Sequence, residues 1–182
     1  YVTHYGTYDD ARVISLAAAC SDIADEDSID QAIFQRAGEL DVAIPEHFKI
    51  LPFESSTKRT QSEIKENGAT VAIEKGLADL LLTADVAFSG PALADVAALS
   101  GKGLRVIAVL AIRGNAKECA GLIGLHDPIR PDAPALIREL NDLGVRVTMI
   151  TGDGRVTAQA VASQLGLTGD VRTPADLKND PS

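Results

Sequence analysis

No long hydrophobic run occurs in the sequence. The best candidate, residues 80–100, is broken by Asp85, Pro91 and Asp95 and so falls short of the ~18 apolar residues that a membrane-crossing helix needs. Cysteine is scarce. Cys20 and Cys119 stand far apart, with no CxxC spacing and no histidine beside them. This excludes a disulfide framework and a zinc site, and points to buried, reduced thiols of a cytoplasmic protein. Positive charge is in deficit: 17 Lys and Arg face 26 Asp and Glu, a formal net charge of −9. With no basic stripe to displace counterions from phosphates, a nucleic-acid surface is excluded. There is no tryptophan, no Walker A pattern and no G-x-S-x-G. A dinucleotide fingerprint would require glycine where Thr157 stands, so that reading fails too.

What remains is enough for a folded protein. Apolar residues make up 46% of 182, which fills a core and rules out a disordered tail. The length suits one domain or two small ones. The first residue is Tyr1 and no signal peptide follows, the pattern of a segment or a processed product. The acidic surplus is concentrated. Residues 1–46 hold ten Asp and Glu against Arg12 and Arg36, which is −8 of the −9. A site for an anionic ligand is therefore expected after residue 46, where Lys58, Arg59, Lys75 and Arg105 are available.

Periodicity divides the chain. Val13, Leu16, Ala17 and Cys20 form a helical stripe. Ser28-Ile-Asp-Gln31 reads as a capping box, with Ile29, Ala32, Ile33 and Ala37 as the inner face of a second helix that Gly38 ends. Residues 49–53, 58–65 and 69–74 are short strand-like runs, and Asn67-Gly68 is the turn of a hairpin between the last two. Residues 76–82 and 91–99 read as helices. Residues 105–112 and 120–125 read as neighbouring strands of an antiparallel sheet. Beyond these, Ala133, Leu136, Ile137, Leu140 and Leu143 share one helix face, with Pro131 in the first turn. A buried-type strand is expected over 145–150, followed by the loop Thr151-Gly-Asp-Gly154 and a helix carrying Ala158, Val161, Ala162 and Leu165. Helix, strand, glycine loop and helix make part of an α/β unit.

Three clusters could carry chemistry, each with a plainer alternative. Thr151-Gly-Asp-Gly154 can present amides to phosphate oxygens at a helix start, or can be an ordinary turn. Phe53 followed by Lys58 and Arg59 can stack a base and meet phosphates, or can be a core Phe before a solvated basic turn. Lys75-Gly76 can place an ammonium beside a close backbone approach, or can be a surface lysine with a turn glycine. His4, His47 and His126 lack ligand spacing and read as surface or supporting residues. The acidic run 22–30 lacks calcium-loop spacing and reads as a solvated loop.

In sequence order, however, these pieces fit together. The succession Pro52-Phe53…Lys58-Arg59-Thr60, Lys75-Gly76, Gly103-Leu-Arg105-Val-Ile-Ala108, Gly121-Leu-Ile-Gly-Leu-His-Asp127-Pro128-Ile-Arg130 and Met149-Ile-Thr-Gly-Asp153 resembles the large cytoplasmic part of P-type cation-transporting ATPases. Ser28-Ile-Asp-Gln-Ala-Ile33 and the basic residues after Phe53 are most similar to the proton-pumping branch. The resemblance implies an α+β nucleotide-binding domain over 1–125, an antiparallel sheet with flanking helices. A hinge at 127–130 (Asp127, Pro128, Arg130) follows, then part of a haloacid-dehalogenase-like α/β phosphorylation domain over 126–182. It gives Phe53 the adenine, Lys58 the pocket wall, Lys75 and Gly76 the floor, and Arg105 the phosphates. Thr151, Gly152 and Asp153 would approach the γ-phosphate. It further implies ATP with Mg2+ as cofactor, the rest of the same ATPase as partner, and a place on the cytoplasmic face of a membrane.

The sequence also departs from the family pattern. The phosphorylated Asp-Lys-Thr-Gly-Thr motif is absent, and so is the later magnesium-holding Gly-Asp-Gly loop. Leu77-Ala78 follows Lys75-Gly76 where the family usually has Ala-Pro. By that resemblance the chain is a segment that binds ATP without turning it over. Two other readings stay open: a free-standing phosphohydrolase of the same fold using Asp25-Glu26-Asp27, and an acidic interaction module built on residues 1–46.

Overall fold

The computed structural model describes residues 1–22, 27–126, 129–152, 154–169 and 171–172. They divide into two compact units. The first comprises Tyr1–Val96 and Val106–Leu125; the second comprises Ala97–Arg105 and the described residues from His126 onward.

The first unit is built on a seven-stranded sheet. In sequence order its strands are β1 (Val2–His4), β2 (His47–Glu54), β3 (Arg59–Glu66), β4 (Ala69–Leu77), β5 (Val86–Ala87), β6 (Arg105–Arg113) and β7 (Ala116–Leu125). The spatial order is β1-β7-β6-β4-β3-β2, with β5 pairing β7 in parallel. The pairs β1·β7, β2·β3, β3·β4 and β4·β6 are antiparallel. The hairpin expected at Asn67-Gly68 is present. Both residues have positive φ, 50° and 81°, as a turn matching the strand twist requires. β1 and β5 gave no sequence signal, being only three and two residues long.

Helices α1 (Asp10–Ala19) and α2 (Ser28–Glu39) cover one face of the sheet. Alternation along the strands decides what they cover. Ile64 of β3, Val71 and Ile73 of β4, and Ile107, Val109 and Ala111 of β6 point into one core with Val13, Leu16, Ala17 and Ile33. Two details of α2 differ from expectation. Asp27, not Ser28, is the cap, its carboxylate accepting the Ile29 amide at 2.9 Å. Gly38 does not end the helix, which runs on to Glu39; Asp41 takes the left-handed position at φ 51°. Further along come α3 (Ala78–Leu81) and α4 (Ser89–Ser100).

Much of the acidic surplus is committed internally. Asp9 caps α1, accepting the Arg12 amide at 2.7 Å, and Asp10 holds His4 at 2.8 Å. Glu66 binds both Arg12 and Arg113, and Arg113 donates to Tyr8 Oη, which donates to Glu118. The Arg113 and Arg12 guanidiniums hold the Glu66 carboxyl below the usual range.

The second unit departs most from the sequence reading. α5 (Ala133–Asp142) and α6 (Arg155–Gln164) form, but residues 145–150 adopt no strand. Leu143 is 79% exposed and Ile150 94%, and α5 buries none of its residues. A lone strand has nothing to bond its amides and carbonyls to. Apart from the first residue of β6, this unit contains no strand among the described residues. α5 therefore has no sheet to lie on. Pro134, not Pro131, sits in its first turn. α6 does pack: Ala158 and Ala162 are buried, and Thr157 Oγ1 donates to Leu104 O at 3.3 Å.

Both cysteines are free and fully buried. Burial pushes the Cys119 thiol up to about 12 and the Cys20 thiol up to about 11, the latter against the pull of the nearby Lys75 ammonium. A disulfide reagent at pH 8 should leave the native chain unmodified while titrating two thiols after urea unfolding. Because the folded thiols ionise later than unfolded ones, their contribution to stability is complete below about pH 8.5. It is then lost as pH rises towards 11–12. Rapid modification without unfolding would contradict this burial.

Candidate functional site

The candidate residues fall in both units. Phe53, Lys58, Lys75 and Gly76 belong to the first; Arg105, Thr151 and Gly152 belong to the second. Asp153 and the hinge residues Asp127 and Pro128 lie outside the described residues. So do Asp25 and Glu26, while their neighbour Asp27 caps α2. Arg130 is exposed and grips Asp132 with two bonds of 3.1 and 2.7 Å.

Lys75 is neither a surface residue nor an unpaired cation. It follows Val71 and Ile73 on the face of β4 covered by the helices, and it is 5% exposed. Its ammonium donates to Ser21 Oγ at the end of α1 and to Asp30 Oδ1 in the first turn of α2. Asp30 is itself held. Ser21 Oγ lies 3.1 Å from Oδ1, and the Asp22 amide donates to Oδ2 at 3.2 Å. The expectation that residues 22–30 form a solvated loop is thus corrected at Asp30. So is the expected inner face of α2, because the buried positions are Asp30, Ile33 and Ala37, while Ala32 is exposed. These three stand at i, i+3 and i+7. A carboxylate on an apolar helical stripe was the signal available in the sequence, since burial of a charge demands a partner. Its partner Lys75 lies 45 residues away, which local pattern does not reveal.

Arg59 is also engaged. Its guanidinium lies 3.2 Å from Glu74 Oε1, which also accepts from Gln61 Nε2 at 3.3 Å. Cross-strand pairing of Arg59 with Gly76 and of Gln61 with Glu74 puts this group on the opposite face of the sheet from Lys75.

Phe53 is not a core residue. It lies near the end of β2 within a register shift between Leu51 and Glu54, with 53% of its surface exposed. The turn that follows brings Lys58 into the left-handed region at φ 54°, closed by the Lys58 amide on Glu54 O at 2.7 Å. The Lys58 side chain is exposed. This end of the sheet thus presents an aromatic face and a cation on the surface, with the buried Lys75 of β4, paired to Asp30 of α2, two strands from Phe53. The arrangement suits a planar ring linked to an anionic group. In the second unit, Thr151 and Gly152 are exposed just before α6, whose N-cap Gly154 supplies no side-chain bond.

Comparison with known proteins adds to this geometry. A family model described as haloacid dehalogenase-like hydrolase matches residues 14–181. A protein of Methanocaldococcus jannaschii named as a cation-transporting ATPase is 31% identical over 172 residues, covering 91% of this chain and 21% of that protein. A copper-transporting P-type ATPase of Rhizobium leguminosarum is 32% identical over 167 residues, covering 91% of this chain and 18% of its own length. A solved zinc-transporting PIB-type ATPase in its E2.Pi state superposes with a TM-score of 0.60 at 31% identity, covering 92% of this chain and 25% of that one. The chain therefore spans about a fifth of the curated relatives it matches.

Proposed function

Because the chain belongs to the haloacid dehalogenase-like hydrolases and is homologous to part of the P-type cation-transporting ATPases, we propose that it is the nucleotide-binding portion of such an ATPase, joined to part of the phosphorylation domain. The parent protein would hydrolyse ATP through an aspartyl-phosphate to move a cation, with this segment on the cytoplasmic side. The observation that carries the reading is the exposed Phe53 followed by the held left-handed turn at Lys58. In this reading Phe53 stacks the adenine, Lys58 lines its pocket, and the buried Lys75 fixes the pocket beneath. Arg105, Thr151, Gly152 and Asp153 serve the phosphates, and Asp127, Pro128 and Arg130 form the hinge.

The segment binds nucleotide and does not turn it over, since no Asp-Lys-Thr-Gly-Thr nucleophile motif occurs in it. Among the described residues no group of three or more His, Cys, Asp or Glu converges. The described residues therefore do not form a magnesium cage, and no step is assigned to that ion. Also among the described residues, no helix is long and apolar enough to cross a membrane. Relatives named for copper, zinc and calcium all match, so the reading is of a cation pump in general rather than of its proton-pumping branch.

Titration with a fluorescent ATP analogue tests the reading. The chain should bind saturably, and Phe53→Ala should weaken binding about five- to hundred-fold, the loss of one base–aromatic stack worth about 1–3 kcal/mol. Absence of saturable binding, or an unchanged affinity in Phe53→Ala, would overturn it.

A further inference from the structure

The Phe53–Lys58 turn is tied to the end of β4. Leu77 donates its amide to Lys58 O at 3.1 Å, beside Gly76. A Cβ built on Gly76 would lie 2.4 Å from that same carbonyl oxygen and 2.9 Å from both Cα and Cβ of Arg59. These obstacles are backbone and the root of a side chain, so they cannot swing away as a side-chain tip would. Position 76 is also buried, and its cross-strand partner is Arg59.

We propose that Gly76 is a positioning residue: by carrying no side chain it lets the Lys58 carbonyl seat on the end of β4, and so sets where Phe53 and Lys58 stand. The chain of contacts is short. Gly76 admits Lys58 O, and Leu77 N–H fixes it. The bond from Lys58 N–H to Glu54 O, 2.7 Å long, then closes the turn one residue after Phe53. The left-handed φ at Lys58 is costly for a residue with a side chain, and these two hydrogen bonds hold it there. Gly76 is thus the clamp of the surface turn rather than part of the pocket floor. The inference rests on the nucleotide reading for its consequence, and on the packing alone for its mechanism.

The experiment uses the full chain labelled with 4-fluorophenylalanine, whose four phenylalanines (34, 48, 53 and 88) give four fluorine resonances, assigned with Phe53→Leu. In Gly76→Ala the Phe53 resonance should shift or broaden while those of Phe34 and Phe88 stay in place. Affinity for the fluorescent ATP analogue should fall about ten-fold. Gly38→Ala, where a Cβ meets nothing within 4 Å, is the control and should change neither. Leu77→Pro is the second variant. Proline accepts the Leu77 φ of −60° and removes the amide that tethers Lys58 O, so it should reproduce the Phe53 shift should Gly76→Ala fail to fold. An unmoved Phe53 resonance in a folded Gly76→Ala or Leu77→Pro chain overturns the positioning role. If the wild type binds no nucleotide, the functional reading falls, and the fluorine spectra still decide the clamp.

Discussion

Asp30→Ala should destabilise the first unit by about 3–5 kcal/mol, because it leaves the Lys75 ammonium buried without its counter-charge. The alanine variant would remove more than a Coulomb partner. Asp30 Oδ1 accepts from Lys75 and Ser21, and Oδ2 accepts from the Asp22 amide. All three donors lose this acceptor together, although Lys75 keeps a second one in Ser21 Oγ and Ser21 keeps Ala17 O at 2.9 Å. Water cannot readily replace the carboxylate, since Lys75 is 5% exposed and Ser21 3%. Urea unfolding followed by tyrosine fluorescence measures the loss cleanly. The three tyrosines, Tyr1, Tyr5 and Tyr8, all lie in the first unit and no tryptophan competes. The double variant Asp30→Ala/Lys75→Met should recover most of the stability, because it removes the orphaned charge as well. It should not recover nucleotide affinity, which separates the folding role of the pair from its proposed binding role. A loss below about 1 kcal/mol in the single variant would mean that Lys75 reaches solvent.

Gly121→Val is the second large effect, expected to reach or exceed the upper end of the ~1–3 kcal/mol that overpacking usually costs. Gly121 pairs with His4 where β1 lies on β7. An added Cβ would meet Thr3 O at 2.4 Å and the two methyls of Val13 at 2.6 and 3.0 Å. Relief requires either lifting β1 off the sheet or pushing α1 outward, and α1 carries the core residues Ile14, Leu16 and Ala17. β1, three residues long, is the weaker element and should yield. Its departure would be read as lost protection of the Tyr5 amide, which bonds Ala120 O at 3.1 Å, and of the Gly124 amide, which bonds Tyr1 O at 2.8 Å. Protection retained at both amides would show that the helix moved instead.

These two sites also mark where the sequence was readable. The amphipathic helices, the Asn67-Gly68 hairpin and the apolar strand β6 announce themselves within windows of about ten residues. The family resemblance likewise rests on short motifs, and it led to the antiparallel sheet with flanking helices. What escaped is non-local. The Asp30–Lys75 pair spans 45 positions, and β1 is too short to show an alternation. The strand expected over 145–150 has an apolar pattern but, among the described residues, no neighbour, and propensity without pairing does not make a strand. At the candidate site the residue types were legible in Phe53 and Lys58. At Gly76 the close backbone approach was legible in the glycine, but which group approaches it, the Lys58 carbonyl and Arg59, was not, since nothing local names the strand that lies alongside.

The pairing of β1 with β7 has a consequence for biosynthesis. Thr3 lies opposite Leu122, so β1 waits for the last strand of its unit. At ~5–20 residues per second, β1 spends on the order of ten seconds without its partner while the intervening segments leave the ribosome. For part of that interval, until residues 105–113 follow, β4 has β3 beside it but lacks β6 on its other side, an open edge that invites pairing with another nascent chain. The unit therefore cannot be completed from its N-terminus forward. It closes when residues 116–125 emerge and β7 takes its place between β6 and β1.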